Sequence, residues 1–169
     1  MSINKKILLI DVDSTIPNIP LMKLSTFYKE KGFKVVLKQL HIPYYPYKHK
    51  PTYEFDTSKY YKTYASAIFN KNNQFIKGDN IIFGGTGYDY KIELDEEVEK
   101  CQPDYSLYQE KNTTYDFITR GCIRNCYFCV VPKKEGMIHL VKDVNIIIKE
   151  AKERGHKNIM FFDNNILAL

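Results

Sequence analysis

The first forty residues alternate between a strand, a helix and a second strand, and this pattern most constrains the fold. Lys6–Asp11 (KILLID) is a continuous apolar run that ends in a carboxylate, as a buried parallel strand does. Helical periodicity follows over Leu21–Lys31 and ends at Gly32, and Phe33–Leu37 is the second strand. The alternation predicts a doubly wound α/β module of the Rossmann type.

The middle of the chain continues this module with shorter elements. We predict a surface loop over His41–Pro51, strands over Tyr60–Phe69 and Asn80–Phe83, and a short acidic helix over Glu93–Lys100. Only about ten residues separate the last two strands, whereas parallel strands usually need a dozen or more connecting residues. The module is therefore expected to lack a crossover helix on this side.

A second strand–helix–strand unit is predicted after a linker, with the boundary between residues 108 and 109. Its first strand spans Tyr115–Thr119, its helix Val141–Arg154 and its second strand Asn158–Phe162. The helix carries an apolar set that we expect to cover a sheet, formed by Ile146, Ile147, Ile148 and Ala151.

Composition narrows the function classes. The chain has 169 residues, 44% of them hydrophobic, which is enough for a packed core. Its net charge of +5 is scattered along the chain, so the sequence carries no specific signal for nucleic-acid binding. The apolar run after the N-terminus is too short to span a bilayer and lacks a cleavage site, so we predict a cytoplasmic protein. In a reducing cytosol its four cysteines are expected to be metal ligands or catalytic thiols.

Three of the cysteines follow the predicted strand Tyr115–Thr119 in the spacing CxxxCxxC: Cys122, Cys126 and Cys129. Iron–sulfur clusters are held by cysteine thiolates, and a fully protein-bound cubane takes four. Three thiolates would leave one iron open, and an open coordination position distinguishes a catalytic metal centre from a closed structural one. A zinc site completed by Cys101 or a histidine is an alternative, although zinc motifs usually come as two separated pairs. Structural free thiols are the third possibility.

The segment from Thr119 to Cys129 resembles the signature loop of the radical S-adenosylmethionine superfamily, down to the aromatic Phe128 before the last cysteine. The resemblance implies a [4Fe–4S] cluster on the three cysteines whose open iron chelates the amino and carboxylate groups of S-adenosylmethionine. It further implies a one-electron donor such as flavodoxin or ferredoxin, and a 5′-deoxyadenosyl radical that abstracts hydrogen from an unknown substrate. By the same resemblance Phe128 lies against the adenine, and Gly121 gives the loop backbone freedom where the strand ends.

The resemblance extends to the end of the second strand, where such enzymes often contact the amino group of the cofactor. Asp163, Asn164 and Asn165 occupy that place and are predicted cofactor contacts. The more familiar pattern of the family is glycine-rich with a glutamate, which this chain lacks. A turn and helix cap is the alternative role for Asp163 and Asn164.

The N-terminal module resembles the cobalamin-binding-like domain that precedes the radical domain in one branch of the superfamily. The likeness rests on Ile7–Asp11, Ile16–Asn18 and the glycine cluster Gly84–Gly87. Cobalamin domains commonly carry a DxHxxG motif whose histidine ligates cobalt, but this chain has Asp13 and Ile16 in place of the histidine and glycine. Bound cobalamin is therefore not expected, and the glycine cluster favours a tight turn over a phosphate site.

By resemblance, a complete radical domain is a partial barrel of about six strand–helix repeats, of which this chain shows the first. We therefore expect a fragment, a truncated reading frame or one half of a split enzyme that a second chain completes. Three function classes stay open at this point. They are an enzyme that cleaves S-adenosylmethionine, a binding module that holds a cluster without turnover, and a cobalamin-type regulatory domain with a vestigial cysteine loop.

Overall fold

The computed structural model describes residues 5–42, 52–69 and 72–168, and the chain divides into two compact units, residues 1–108 and 109–169. Unit 1 contains, in chain order, β1 (Lys6–Asp11), α1 (Ile19–Glu30), β2 (Lys34–Gln39), β3 (Tyr53–Glu54), β4 (Lys62–Ser66), β5 (Ile76–Lys77), β6 (Ile81–Gly84) and α2 (Glu96–Glu99). Unit 2 contains β7 (Thr113–Asp116), β8 (Thr119–Arg120), α3 (Val131–Lys134), β9 (His139–Leu140), α4 (Val144–Glu153) and β10 (Asn158–Phe161). Single 3₁₀ turns lie at Asn73–Phe75, Tyr105–Tyr108 and Ile166–Ala168.

A parallel four-stranded sheet in the order β2-β1-β4-β6 organises unit 1. The inner strand β1 is buried on both faces, with Ile7 and Leu9 packed beneath α1 and Leu8 and Ile10 in the core of the opposite face. This two-sided burial explains the unbroken apolar run that begins the sequence. The predicted strand–helix–strand opening and the parallel α/β sheet are confirmed.

Helix α1 begins at Ile19, two residues before the predicted start. The side chain of Asn18 caps it by accepting a hydrogen bond from the Leu21 backbone N–H at 3.3 Å, and Pro20 occupies the first turn, where a missing N–H costs nothing. Leu21, Leu24 and Tyr28 bury one face of the helix against the sheet.

The connection from β4 to β6 contains no α-helix within its described residues, 67–69 and 72–80. It holds a 3₁₀ turn and β5, which pairs with β3 in a separate two-stranded sheet. The expected loss of a crossover helix on this side is confirmed. The predicted strand Tyr60–Phe69 is shorter than expected, and the predicted loop His41–Pro51 lies largely outside the described residues.

Unit 2 is built on the parallel pair β7 and β10, which α4 connects. Lys142, just before α4, donates to Asp116 at the end of β7 (2.8 Å) and to Glu150 of α4 (2.9 Å). Burial opposes the charge of Lys142, but these two carboxylates outweigh it and raise the pKa of the lysine above its usual value. The ion pairs fasten the helix to the strand that it crosses.

Two sequence predictions for unit 2 are wrong in detail. The single strand Tyr115–Thr119 is instead split into β7 and β8, and β8 turns away to pair antiparallel with β9. On α4 only Ile147 and Ala151 are buried, whereas Ile146 and Ile148 are exposed. Residues four apart share a helix face, and consecutive residues do not.

In the part of the chain that the structure describes, no helix combines the length and the apolar character that a membrane crossing requires.

Asp104 ties α1 of unit 1 to the segment that follows α2. Its carboxylate accepts hydrogen bonds from Lys29 Nζ at 2.6 Å, from the buried Ser25 Oγ at 2.6 Å and from the Ser106 backbone N–H at 3.0 Å. Burial alone would raise the pKa of Asp104, but these hydrogen bonds outweigh burial and lower it below its ordinary value of 3.8.

We expect Asp104→Asn to lower the free energy of unfolding by about 2 kcal/mol at neutral pH, because charge-assisted hydrogen bonds are lost. The pKa is lower in the folded than in the unfolded chain, so this stabilisation is present above the ordinary value of 3.8 and is lost as the pH falls below it. Urea unfolding of both proteins between about pH 2.5 and about pH 7 measures the difference. A gap that stays constant down to the lowest pH would contradict this account.

Candidate functional site

Gly121 begins the cysteine loop in a conformation and at a distance that only glycine allows. Its φ is +78°, and a Cβ at this position would collide with the backbone oxygen of Met137 and lie 2.7 Å from that of Gly136. The next residue, Cys122, donates its backbone N–H to the Gly136 carbonyl at 3.2 Å. The first cysteine is therefore held at its backbone by the residues that precede β9.

The carboxylate of Glu135 gathers three separate donors around this entry. It accepts from Arg120 Nη1 at 3.0 Å, from the Gly121 backbone N–H at 3.1 Å and from Asn164 Nδ2 at 3.0 Å. The Arg120 guanidinium also lies 3.8 Å from the ring centroid of Phe117. The sequence analysis did not single out Glu135. The local signal for it is a carboxylate directly before Gly136, at the end of the cysteine segment.

Asp163 holds the other end of β8. One of its oxygens accepts from the Ile118 backbone N–H at 3.1 Å, and the other accepts from the backbone N–H and, at 2.6 Å, the hydroxyl of the fully buried Thr119. These bonds supply partners at the point where β7 gives way to β8, and they explain the break in the predicted strand. The hydrogen bonds of Asp163 are thus structural, and its predicted contact with a cofactor stays a prediction.

The two neighbours of Asp163 differ in their surroundings. Asn164 is exposed and donates to Glu135, whereas the backbone carbonyl of Asn165 accepts from the Ala168 N–H and starts a 3₁₀ turn. The structure therefore places Asn164 beside the entry of the cysteine loop, through Glu135. The predicted cofactor contacts of Asn164 and Asn165 also stay predictions.

Cys122, Cys126 and Cys129 are half-buried free thiols on the loop between β8 and α3. The Cys122 Sγ accepts from the Arg124 backbone N–H at 3.4 Å, and the Cys129 N–H donates to the Cys126 carbonyl at 3.0 Å, which closes a turn. Phe128 is 78% exposed and Tyr127 94% exposed, and their rings meet edge to face with centroids 5.2 Å apart. The loop thus presents its aromatic side chains outward.

Within residues 5–42, 52–69 and 72–168, no group of three or more His, Cys, Asp or Glu side chains is arranged to hold a metal ion. In a cubane each cysteine binds a different iron, so its three thiols surround a cluster without meeting at a point. The donor set, three free thiols within one loop, fits a cluster by its chemistry.

Two buried carboxylates at the carboxyl end of β1, Asp11 and Asp13, accept hydrogen bonds from neighbouring segments of unit 1. Asp13, at the position of the cobalt-ligating histidine in the cobalamin motif, accepts from the Ile68 N–H (2.8 Å), the Phe69 N–H (3.0 Å) and Asn72 Nδ2 (3.0 Å). Burial raises the pKa of Asp11, which accepts from the Tyr108 hydroxyl at 2.6 Å. These carboxylates hold loops to the sheet edge.

The glycine cluster Gly84–Gly87 is a tight turn packed against the end of β4. Gly85 has a φ of +87°, and a Cβ there would lie 2.5 Å from the Ala67 carbonyl oxygen. The Gly87 N–H donates to that same oxygen at 2.8 Å. The turn that the sequence favours is therefore present, and at least one of its N–H groups serves the fold.

The fold of the chain is similar to that of a solved radical S-adenosylmethionine methyltransferase. That methyltransferase is TsrM from Kitasatospora setae, whose structure was determined with tryptophan substrate and the S-adenosylmethionine analogue aza-SAM bound. The two share 11% sequence identity with a TM-score of 0.53, over 96% of this chain and 48% of the other. The chain thus spans about half the length of this structural relative, and the likeness concerns the fold.

No protein-family model matches the chain. No curated protein matches it either.

We expect Gly121→Ala to destabilise the protein by more than about 2 kcal/mol, because a left-handed φ and a backbone collision act together. Gly136→Ala is the matched control, since Gly136 has a φ of +72° and nothing within 4 Å of an added Cβ. Denaturant unfolding of the two variants isolates the collision. Equal losses in both would show that the close approach to Met137 is unimportant.

Removing the carboxylate in Asp163→Ala should cost about 2 to 3 kcal/mol, because the amides of Ile118 and Thr119 lose charged acceptors. Native-state hydrogen exchange then accelerates at these two amides more than elsewhere in β7 and β10. Asn165→Ala serves as a control at the same strand end. Unchanged protection of the Thr119 amide in the aspartate variant would refute its structural role.

Proposed function

We propose that this chain is a radical S-adenosylmethionine iron–sulfur protein in which Cys122, Cys126 and Cys129 hold a [4Fe–4S] cluster. The observation that carries the proposal is a loop with three free thiols, pinned at its first cysteine and placed between the strands of a parallel βαβ unit. The similarity in fold to a radical S-adenosylmethionine methyltransferase supports it.

Three thiolates leave one iron without a protein ligand, and that open position is where S-adenosylmethionine would bind. A cluster held by these cysteines would supply the single electron that breaks the bond between the sulfonium sulfur and the 5′-carbon of S-adenosylmethionine. Phe128, which is largely exposed, offers a ring for stacking on the adenine. Asn164 and Asn165 follow the end of β10 and are proposed as polar contacts of the cofactor, whereas the carboxylate of Asp163 accepts hydrogen bonds from Ile118 and Thr119.

The proposed partners follow from this chemistry. The cluster needs a one-electron donor, for which we propose a flavodoxin or ferredoxin type of protein. No substrate and no role for cobalamin are proposed. A cluster-binding chain without turnover is the second candidate, and the experiment below separates it from the enzyme.

We expect anaerobic reconstitution with iron and sulfide to give a brown protein with about four irons per chain, as a cubane requires. Cys126→Ala removes one corner ligand and should lose most of this iron. Cys101→Ala is the matched control, because Cys101 lies in unit 1 and its thiol donates to the Glu97 carbonyl at 3.3 Å. Unaltered iron content in Cys126→Ala, or an equal loss in the control, would defeat the ligand assignment.

The reconstituted protein then decides between the two candidates. With dithionite and S-adenosylmethionine, formation of 5′-deoxyadenosine assigns the enzyme. An intact cluster without this product assigns the binding module.

A further inference from the structure

Glu135 connects three segments that are distant in sequence. Its hydrogen-bond partners lie 15, 14 and 29 residues away: the Arg120 side chain, the Gly121 backbone and the Asn164 side chain. The first two begin the cysteine loop, Glu135 itself follows α3 at the end of the loop, and Asn164 follows β10. One carboxylate therefore closes the loop and fastens it to the strand end.

The surroundings of this carboxylate make its contacts consequential. The Glu135 side chain is only 14% exposed, and that of Arg120 is 35% exposed. Charge-assisted hydrogen bonds in such a setting are stronger than exposed ones, and a donor left without its acceptor pays the full cost of desolvation. The Gly121 N–H would become such a donor if Glu135 were removed, because Gly121 is buried.

We propose that Glu135 is the positioning residue of the cysteine loop. It fixes the backbone at Gly121, directly before Cys122. It also balances the positive charge of Arg120, the residue that precedes Gly121. This inference rests on the proposed function, because it assigns Glu135 to the support of the cluster's first ligand. Groups that hydrogen-bond to the backbone or side chain beside a metal ligand orient that ligand and tune the metal centre.

The negative charge of Glu135 is expected to affect the midpoint potential of a bound cluster. Replacing Glu135 by glutamine keeps the shape of the side chain but leaves the Arg120 guanidinium without its counter-charge. The added electron of a reduced cluster is then stabilised by the net positive surroundings. The midpoint potential of Glu135→Gln is therefore expected to be more positive than that of the unaltered protein.

The first test uses the full-length chain without iron. Under anaerobic conditions the thiols are alkylated with iodoacetamide and the rate at each cysteine is followed by peptide mass spectrometry. In Glu135→Ala we expect Cys122 to react about tenfold faster while Cys129 changes little, because loss of a charged hydrogen bond shifts a local opening by about that factor. Glu153→Gln is the control, since Glu153 is 63% exposed and lies 3.9 Å from Lys149.

Selective acceleration at Cys122 supports the positioning role. An equal acceleration at all three loop cysteines would mean that Glu135 only stabilises the unit, and no acceleration would mean that it holds nothing; either result overturns the proposal. Glu135→Gln, which preserves side-chain volume, repeats the measurement in a variant with a smaller effect on folding.

The second test measures the midpoint potential of the reconstituted Glu135→Gln protein. An unchanged potential overturns the charge-balancing part of the proposal. If the unaltered chain binds no iron, the proposed function fails, and the alkylation result still decides whether Glu135 positions Cys122.

Discussion

The backbone of Gly121 approaches that of Met137 more closely than any side chain would permit, and the cysteine loop depends on this contact. Because the approach brings the Cys122 N–H onto the Gly136 carbonyl, the first thiol leaves the sheet from a fixed point. Two carboxylates secure the two-residue strand that leads there, with Asp163 at its start and Glu135 at its end. A loop with exposed aromatic residues is thus carried on a firmly hydrogen-bonded base.

The sheet edge of unit 1 follows a different principle. Its buried carboxylates, Asp11 and Asp13, accept hydrogen bonds from neighbouring loops and from the Tyr108 hydroxyl. The glycine turn packs on the backbone after β4. Buried polar groups need partners, and here the fold itself supplies them. In open α/β sheets this edge is the usual place for ligands. Asp13, which the sequence analysis compared with the histidine of the cobalamin motif, thus serves the fold in this chain.

Local patterns in the sequence were enough to predict the elements whose causes are local. The buried strand Lys6–Asp11, the body of the helix from Leu21 and the CxxxCxxC spacing were all predicted in this way, whereas the start of the helix at Ile19 was placed two residues too late. The break after β7 was not, because its cause is Asp163, whose partners lie about 45 residues earlier in the chain. The role of Glu135 was also missed, because its hydrogen-bond partners lie 15, 14 and 29 residues away and its place directly before Gly136 is only a weak local signal. For α4, all three successive isoleucines were assigned to the buried face. A helix turns about 100° per residue, so they point in three different directions.

The proposed function requires that one iron of a three-cysteine cluster be open to S-adenosylmethionine. Electron paramagnetic resonance of the dithionite-reduced, reconstituted chain, recorded with and without S-adenosylmethionine, tests it most directly. A ligand that binds the open iron changes its coordination, so we expect a clear change in the g values on addition of the cofactor. A reduced cluster whose spectrum is identical with and without saturating S-adenosylmethionine would contradict the account.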